Sequence, residues 1–166
     1  MQQVYRFVLF KRNNCATDDK KNFNDMNAIA GYKAVRLFFA DQVQVAISSA
    51  AASVSSDCDG LVLPISDGKV SLRTDYKGDG SWLHSAEITL RESGVDAEKV
   101  KLLRQIPRRG AIIVAEDFSG RRWLFGDSDY PLDGFAVEEH GTAHTDLHCW
   151  KLDLSCVCMH PELIVP

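Results

Sequence analysis

The sequence predicts a mainly β fold of the α+β class, an antiparallel β-barrel or β-sandwich with one short packed helix. Three stretches carry that expectation. In "GAIIVAEDFSGRRWLFG", β-rich runs at Ala111–Glu116 and Arg121–Gly126 flank Asp117, Phe118, Ser119 and Gly120; Asp opens a turn through its side-chain acceptor and Gly supplies the left-handed position. In "TDLHCWKLDLSCVCM", Trp150, Leu152, Leu154, Cys156 and Cys158 alternate with Cys149, Lys151, Asp153, Ser155 and Val157, the period of a strand with one buried face. "FAVEEHG" upstream supplies its hairpin partner, and the two hairpins are expected to form the middle of one sheet. Helical period is clear only at Asp96–Ile106, where Asp96 can cap, Glu98 complements the dipole, Val100, Leu103 and Ile106 line one face, and Pro107 is expected to stop the helix.

A chain of 166 residues, 45% hydrophobic and 25% charged, suits one globular domain over 1–166 with a core of its own. A formal charge of −4 argues against specific nucleic-acid binding, because neutralising phosphates takes a local excess of Lys and Arg. The basic pairs Lys11–Arg12, Lys20–Lys21, Arg108–Arg109 and Arg121–Arg122 each lie beside acids or in an expected turn. No apolar run reaches the roughly 20 residues of a membrane helix, so no membrane partner is expected. Five cysteines without framework spacing suit reduced thiols and a cytoplasmic location.

The remaining elements follow in order. "VYRFVLF" at Val4–Phe10 reads as a first strand, and the polar stretch Lys11–Asp25 as a mobile loop. "GYKAVRLFFADQVQVAI" fits either a helix face or strands; Gly31 in front and the β-rich run Val43–Ile47 behind favour strands. Ser48–Asp59, small and polar, reads as a flexible connection. "GLVLPI" is a strand broken at Pro64, which marks an edge position or a strand end, because proline cannot donate to a ladder. "KVSLRTDY" and "WLHSAEITLRES" are two more strands joined by the glycine turn "KGDGS", the second with Leu83, Ala86, Ile88 and Leu90 as its apolar positions.

Chemical signals are weak. The densest is "HGTAHTDLHCWKLDLSCVCMH", with His140, His144, His148, His160, Cys149, Cys156 and Cys158. A spacing of four stacks the first three histidines on one face, yet no CxxC or HExxH occurs, Gly141 and Thr142 interrupt a helix, and Cys156 and Cys158 share the apolar face of Trp150 and Leu154. Core thiols with turn histidines are the expectation, with a small metal-binding module or enzyme built on His140–His160 as the alternative. Cys149 and His148, being strand neighbours, point to opposite faces and make no nucleophilic dyad. "DYKGDGS" and "DCDG" lack the ligand order and closing Glu of a calcium loop. No phosphate-binding, dinucleotide or nucleophile-elbow motif is present, so no catalytic, cofactor-binding or metal residue is assigned and no cofactor is expected.

Over Ile112–Cys158, and more loosely from Gly31, the pattern resembles small virion and tail-associated proteins encoded in bacterial prophages. The shared features are a strand, an acidic D-x-x-G turn, a strand ending in Gly126-Asp127, and a polar, Thr-rich return into a final alternating strand. The resemblance implies a non-enzymatic building block with a β core and a helix, assembling into rings or tubes, present in the host cytoplasm before incorporation into a virion. It implies self-association as a homo-oligomer, with other tail proteins as partners, through strand edges and loops. A monomeric ligand-binding β-barrel is the remaining alternative.

Overall fold

A computed structural model describes residues 31–48, 51–66, 68–140 and 148–166. The expected strand Val4–Phe10, the expected loop Lys11–Asp25 and His144 lie outside the described residues. The described chain is a sandwich of two sheets, with no closed barrel. Its strands are β1 (Tyr32–Phe39), β2 (Val43–Ser48), β3 (Ala51–Ser56), β4 (Leu61–Val62), β5 (Lys69–Tyr76), β6 (Trp82–Arg91), β7 (Ala111–Asp117), β8 (Arg122–Phe125), β9 (Asp133–Glu139), β10 (Cys149–Cys158) and β11 (Leu163–Val165). One sheet runs β2-β3-β11-β8-β7-β1-β4 and the other β5-β6-β10-β9. Two short helices, α1 (Ala97–Leu103) and α2 (Ile106–Arg109), join them, and no helix of the described residues is long and apolar enough to cross a membrane.

The hairpin at Asp117 forms as its sequence demands. The Asp117 carboxylate accepts the backbone N–H groups of Ser119 and Arg121 at 2.8 and 3.0 Å, the Ser119 hydroxyl, and the Trp123 indole N–H at 3.0 Å. Partial desolvation pushes its pKa up, but hydrogen bonds from Ser119, Trp123 and Arg121 outweigh that and hold the group at about 2. The Arg122-Trp123-Leu124-Phe125 strand then returns along β7 in register.

The second hairpin, β9–β10, also forms, but in the other sheet. The two hairpins are therefore not the middle of one sheet: the loop after Gly126 carries the chain across the sandwich. Gly126 has φ +76, and the Asp127 side chain caps the following turn through the N–H groups of Asp129 and Tyr130. Ser128 ties this loop to β2, its hydroxyl donating to the Val43 carbonyl and accepting from the Val45 N–H. Gly134, at φ +152, opens β9 where an added Cβ would stand 2.0 Å from the Asp153 carbonyl oxygen.

Ser48–Asp59 is not a connection throughout. Ala51–Ser56 forms β3, antiparallel to β2 and parallel to β11. Its side chains are too small to advertise a strand by propensity, but small size lets Ala52 bury completely and Val54 pair with Val45. The strands at Tyr32–Phe39 and Val43–Ser48 form as favoured, separated by a 3-10 turn over Ala40–Gln42, and Leu61–Val62 is an edge strand that ends before Pro64, in keeping with both readings of that proline.

Asp96 caps α1, accepting the Lys99 N–H at 2.8 Å. The helix ends at Leu103 rather than running to Ile106, and Pro107 does not stop it but sits in the first turn of α2, where a missing N–H leaves no bond unmade. Arg109 of α2 binds both Asp41 oxygens and lies 4.0 Å over the Phe39 ring, fixing the helix to the β1–β2 corner.

Between the sheets lies the main core: Val35, Leu37 and Phe39 of β1, Ala111, Ile113 and Ala115 of β7, Ala86, Ile88 and Leu90 of β6, and Trp150, Leu152 and Leu154 of β10, closed at one end by Leu103 and Ile106. Of Trp123, Trp150, Leu152 and Leu154, all expected to be buried together, the last three are, while Trp123 is only half-buried against the same core. A second core on the opposite face of the seven-stranded sheet gathers Phe38, Val43, Ala52, Ile112, Val114, Leu124, Leu163 and Val165. Trp150→Ala is expected to lower stability by about 3–5 kcal/mol through a lost aromatic and the cavity left behind. Urea unfolding followed by far-UV circular dichroism measures it, and a loss below about 1 kcal/mol would show that the site collapses around the smaller side chain.

Candidate functional site

The sequence cluster His140–His160 splits in two. At the loop end of the β9–β10 hairpin His140 and His148 meet, with their Nδ1 atoms 3.3 Å apart and both rings exposed; Glu138 lies 3.9 Å from His140 and Glu92 3.5 Å from His148. Cys149 faces outward on β10, beside Arg91 and Glu139, and belongs to neither group. The other members, Cys156, Cys158 and His160, lie at the far end of β10, where they meet two residues the sequence reading passed over, His84 and Asp127.

His84 arrives on the inward face of β6 with Ala86, Ile88 and Leu90; Leu83, grouped with them from the sequence, lies on the outer face. Strand parity was the signal that could have found it, since a histidine in phase with Ala86, Ile88 and Leu90 must enter the core. It is 0% exposed. The Gly126 N–H donates to its Nδ1 at 3.0 Å, so the ring proton resides on Nε2. That N–H points at the His160 carbonyl, 3.1 Å away, and at the Cys158 sulfur, 3.4 Å away. Phe125 and His160 set their rings against His84 edge to face.

Cys158, 1% exposed, donates its S–H to the His160 carbonyl at 3.1 Å. Of the two thiols on this face it is the more acidic. A hydrogen bond from Cys156 lowers it, burial opposes this, and the His84 N–H lowers it further. Cys156 is pushed above the ordinary thiol range by its hydrogen bond to Cys158 and by burial. Both are unbridged, as expected.

His160 lies in the turn between β10 and β11. Its Nε2 is 2.5 Å from Asp127 Oδ2 and its Nδ1 2.8 Å from the Pro161 carbonyl, two partners that can only accept, so the ring is held as imidazolium. Burial alone would lower its pKa; the Pro161 carbonyl, Asp127 and the nearby Cys158 more than offset that and raise it.

Chemically, the ligand atoms of His84, Cys158 and His160 fall within 4.8 Å of one another, a donor set that suits zinc. The proton inventory opposes ligation in this arrangement. His84 spends its lone pair on Gly126, and both His160 nitrogens donate, so a metal would have to displace the Gly126 bond and the Asp127 pair. As folded, the cluster is a closed hydrogen-bond network tying the β10–β11 corner to β6 and to the loop after β8. The Thr74 hydroxyl, beside His84 on β5, is the one buried side-chain polar atom without a partner among the described residues.

Comparison with protein-family models, with curated proteins and with solved structures gave no match, and so lends the tail-protein resemblance no support.

Two outcomes are expected. His160 holds its proton more tightly folded than unfolded, so its contribution to stability is full below the ordinary imidazole value of 6.5 and is lost as pH rises through its raised folded value. Urea-unfolding stability should therefore fall between mildly acidic and alkaline buffer, and His160→Gln should flatten that slope; an unchanged slope in the variant would refute the assignment. In the folded protein a thiol reagent should label exposed Cys58 fast and Cys158 only on unfolding, which peptide mapping would read.

Proposed function

We propose that this chain is a non-enzymatic structural and assembly protein, acting through its strand edges, and that its setting is the phage tail or related tube-like assembly its hairpin pattern resembles. The observation that carries the reading is the pair of open edges on the four-stranded sheet. Neither β5 nor β9 has a partner on its far side among the described residues, and neither contains a proline. β9 also exposes Phe135 and Val137, 52% and 41%, on its outer face. Open edges without proline offer their unpaired backbone groups as a template for pairing with another chain. The burial of His84 and Cys158 supports the same reading, since a substrate would have no access to the one group of side chains among the described residues with the makings of a nucleophile and base.

A second reading, a small metal-binding module, is favoured by the convergence of His84, Cys158 and His160. One preparation of the full chain separates the two. Sedimentation velocity across a concentration series should show reversible self-association, and elemental analysis should find no stoichiometric metal. Zinc or iron at one per chain, lost in Cys158→Ser and His84→Gln, would replace the assembly reading with the metal one. A strict monomer without metal would move the assignment to a ligand-binding β domain.

A further inference from the structure

The four-stranded sheet carries rows of paired residues from one edge to the other. Lys151 pairs with both Thr89 and Val137, and Thr89 pairs with Lys69, so Lys69 and Val137 share a row at opposite edges. In the same way Ser71 shares a row with Phe135 through Glu87 and Asp153, and Arg73 shares one with Asp133 through Ser85 and Ser155. All six have the parity opposite to buried Ile88 and Leu152, so they stand on the outer face.

The two edges differ in charge. On β5, Lys69 and Arg73 are exposed and have no acidic partner among the described residues, with Asp75 the strand's one acid. On β9 there are Asp133, Glu138 and Glu139, of which Glu139 also meets Lys151. The strand count supplies the direction. All four strands are antiparallel and four is even, so β9 runs opposite to β5. A second copy set beside the first in the same orientation therefore brings its β5 antiparallel against β9.

We propose that copies of this chain join head to tail by extension of this sheet, β9 of one copy pairing antiparallel with β5 of the next. This rests on the assembly reading above and names its partner as a second copy. Continuing the rows places Asp133 opposite Arg73, Phe135 opposite Ser71 and Val137 against the aliphatic stem of Lys69, with Glu139 diagonal to the Lys69 ammonium. A two-fold pairing of β9 with itself over its full length would instead set Asp133 against Glu139, acid on acid. Because the joined surfaces are different, each open assembly keeps one free β5 at one end and one free β9 at the other, and addition continues until a ring closes or a filament grows. The accumulated strand twist turns each copy relative to the last.

The test is sedimentation velocity of the full chain over a concentration series at low and high salt, with Arg73→Glu, Asp133→Arg and the double variant, each checked for native circular dichroism. Wild type should associate, more tightly at low salt. Each single reversal should weaken association by about tenfold or more, and the double variant, whose facing edges again carry opposite charges, should recover it. Lys69→Glu replaces Arg73→Glu if that variant fails to fold. Wild-type association in both single variants would overturn this pairing and leave self-association standing through another surface. Loss in Arg73→Glu but not in Asp133→Arg would overturn it in favour of a β5 pair. A wild type that stays monomeric throughout would overturn both the pairing and the assembly reading.

Discussion

Because Ala111–Ala115 is buried on both faces, strand β7 cannot sit at an edge or over water, and the arrangement of the sheets follows from that. Its odd-numbered residues, Ala111, Ile113 and Ala115, enter the core between the sheets, while Ile112 and Val114 enter the second core behind. A strand with two dry faces needs cover on both, which the four-stranded sheet with α1 and α2 supplies on one side. On the other, the β2–β3 end of its own sheet brings Val43 and Ala52 into the second core. Burying an Ile side chain contributes about 2–3 kcal/mol relative to leaving it exposed. A displacement of β7 by one residue along β1 and β8 would exchange the residues of the two cores, so register there is strongly specified.

What the sequence made legible was whatever depends on side-chain period and local turn chemistry. The alternation of Trp150, Leu152 and Leu154, the Asp117 turn, the Asp96 cap and the Pro64 edge each follow from a residue's own stereochemistry, and each stands in the fold. Strand β3 was hidden because its two alanines and three serines hold little strand propensity and Val54 is its one β-branched residue; its neighbours β2 and β11 make it a strand. Which sheet a hairpin joins was hidden as well. That depends on how the loop from Gly126 to Leu132 crosses the sandwich, a tertiary matter set by the capping of Asp127 and the Ser128 bonds to β2.

The polar cluster shows the same division. Cys158 and His160 are near in sequence, but their partners His84 and Asp127 come from 76 and 33 residues away. No spacing rule reaches across such separations. Two of the histidines that make the sequence cluster conspicuous, His140 and His148, end at the opposite end of β10 from Cys158, in water. The buried group owes its existence to the backbone: an inward-facing imidazole at position 84 would be costly beside Phe125, except that the Gly126 N–H and the His160 carbonyl satisfy both its nitrogens. Removing the ring would orphan the Gly126 N–H in a dry site, which costs about 1–3 kcal/mol, so the cluster is held in place by the same burial that closes it to ligands.

Edge charges on a β protein are ordinarily read as protection against unwanted pairing, since a charge buried against another strand without a partner loses its hydration. That protection depends on sign. Two acidic β9 edges repel, and the exposed Lys69 and Arg73 of β5 have nothing to gain from an apolar neighbour. In the proposed pairing of β9 with β5 the same groups would be complementary, and Phe135 and Val137, exposed among the described residues, would gain cover. Charge would then select one pairing out of those that the open backbone groups allow. The even number of antiparallel strands would make that one pairing repeatable, because each added copy would present the acceptor edge that the previous copy has just covered.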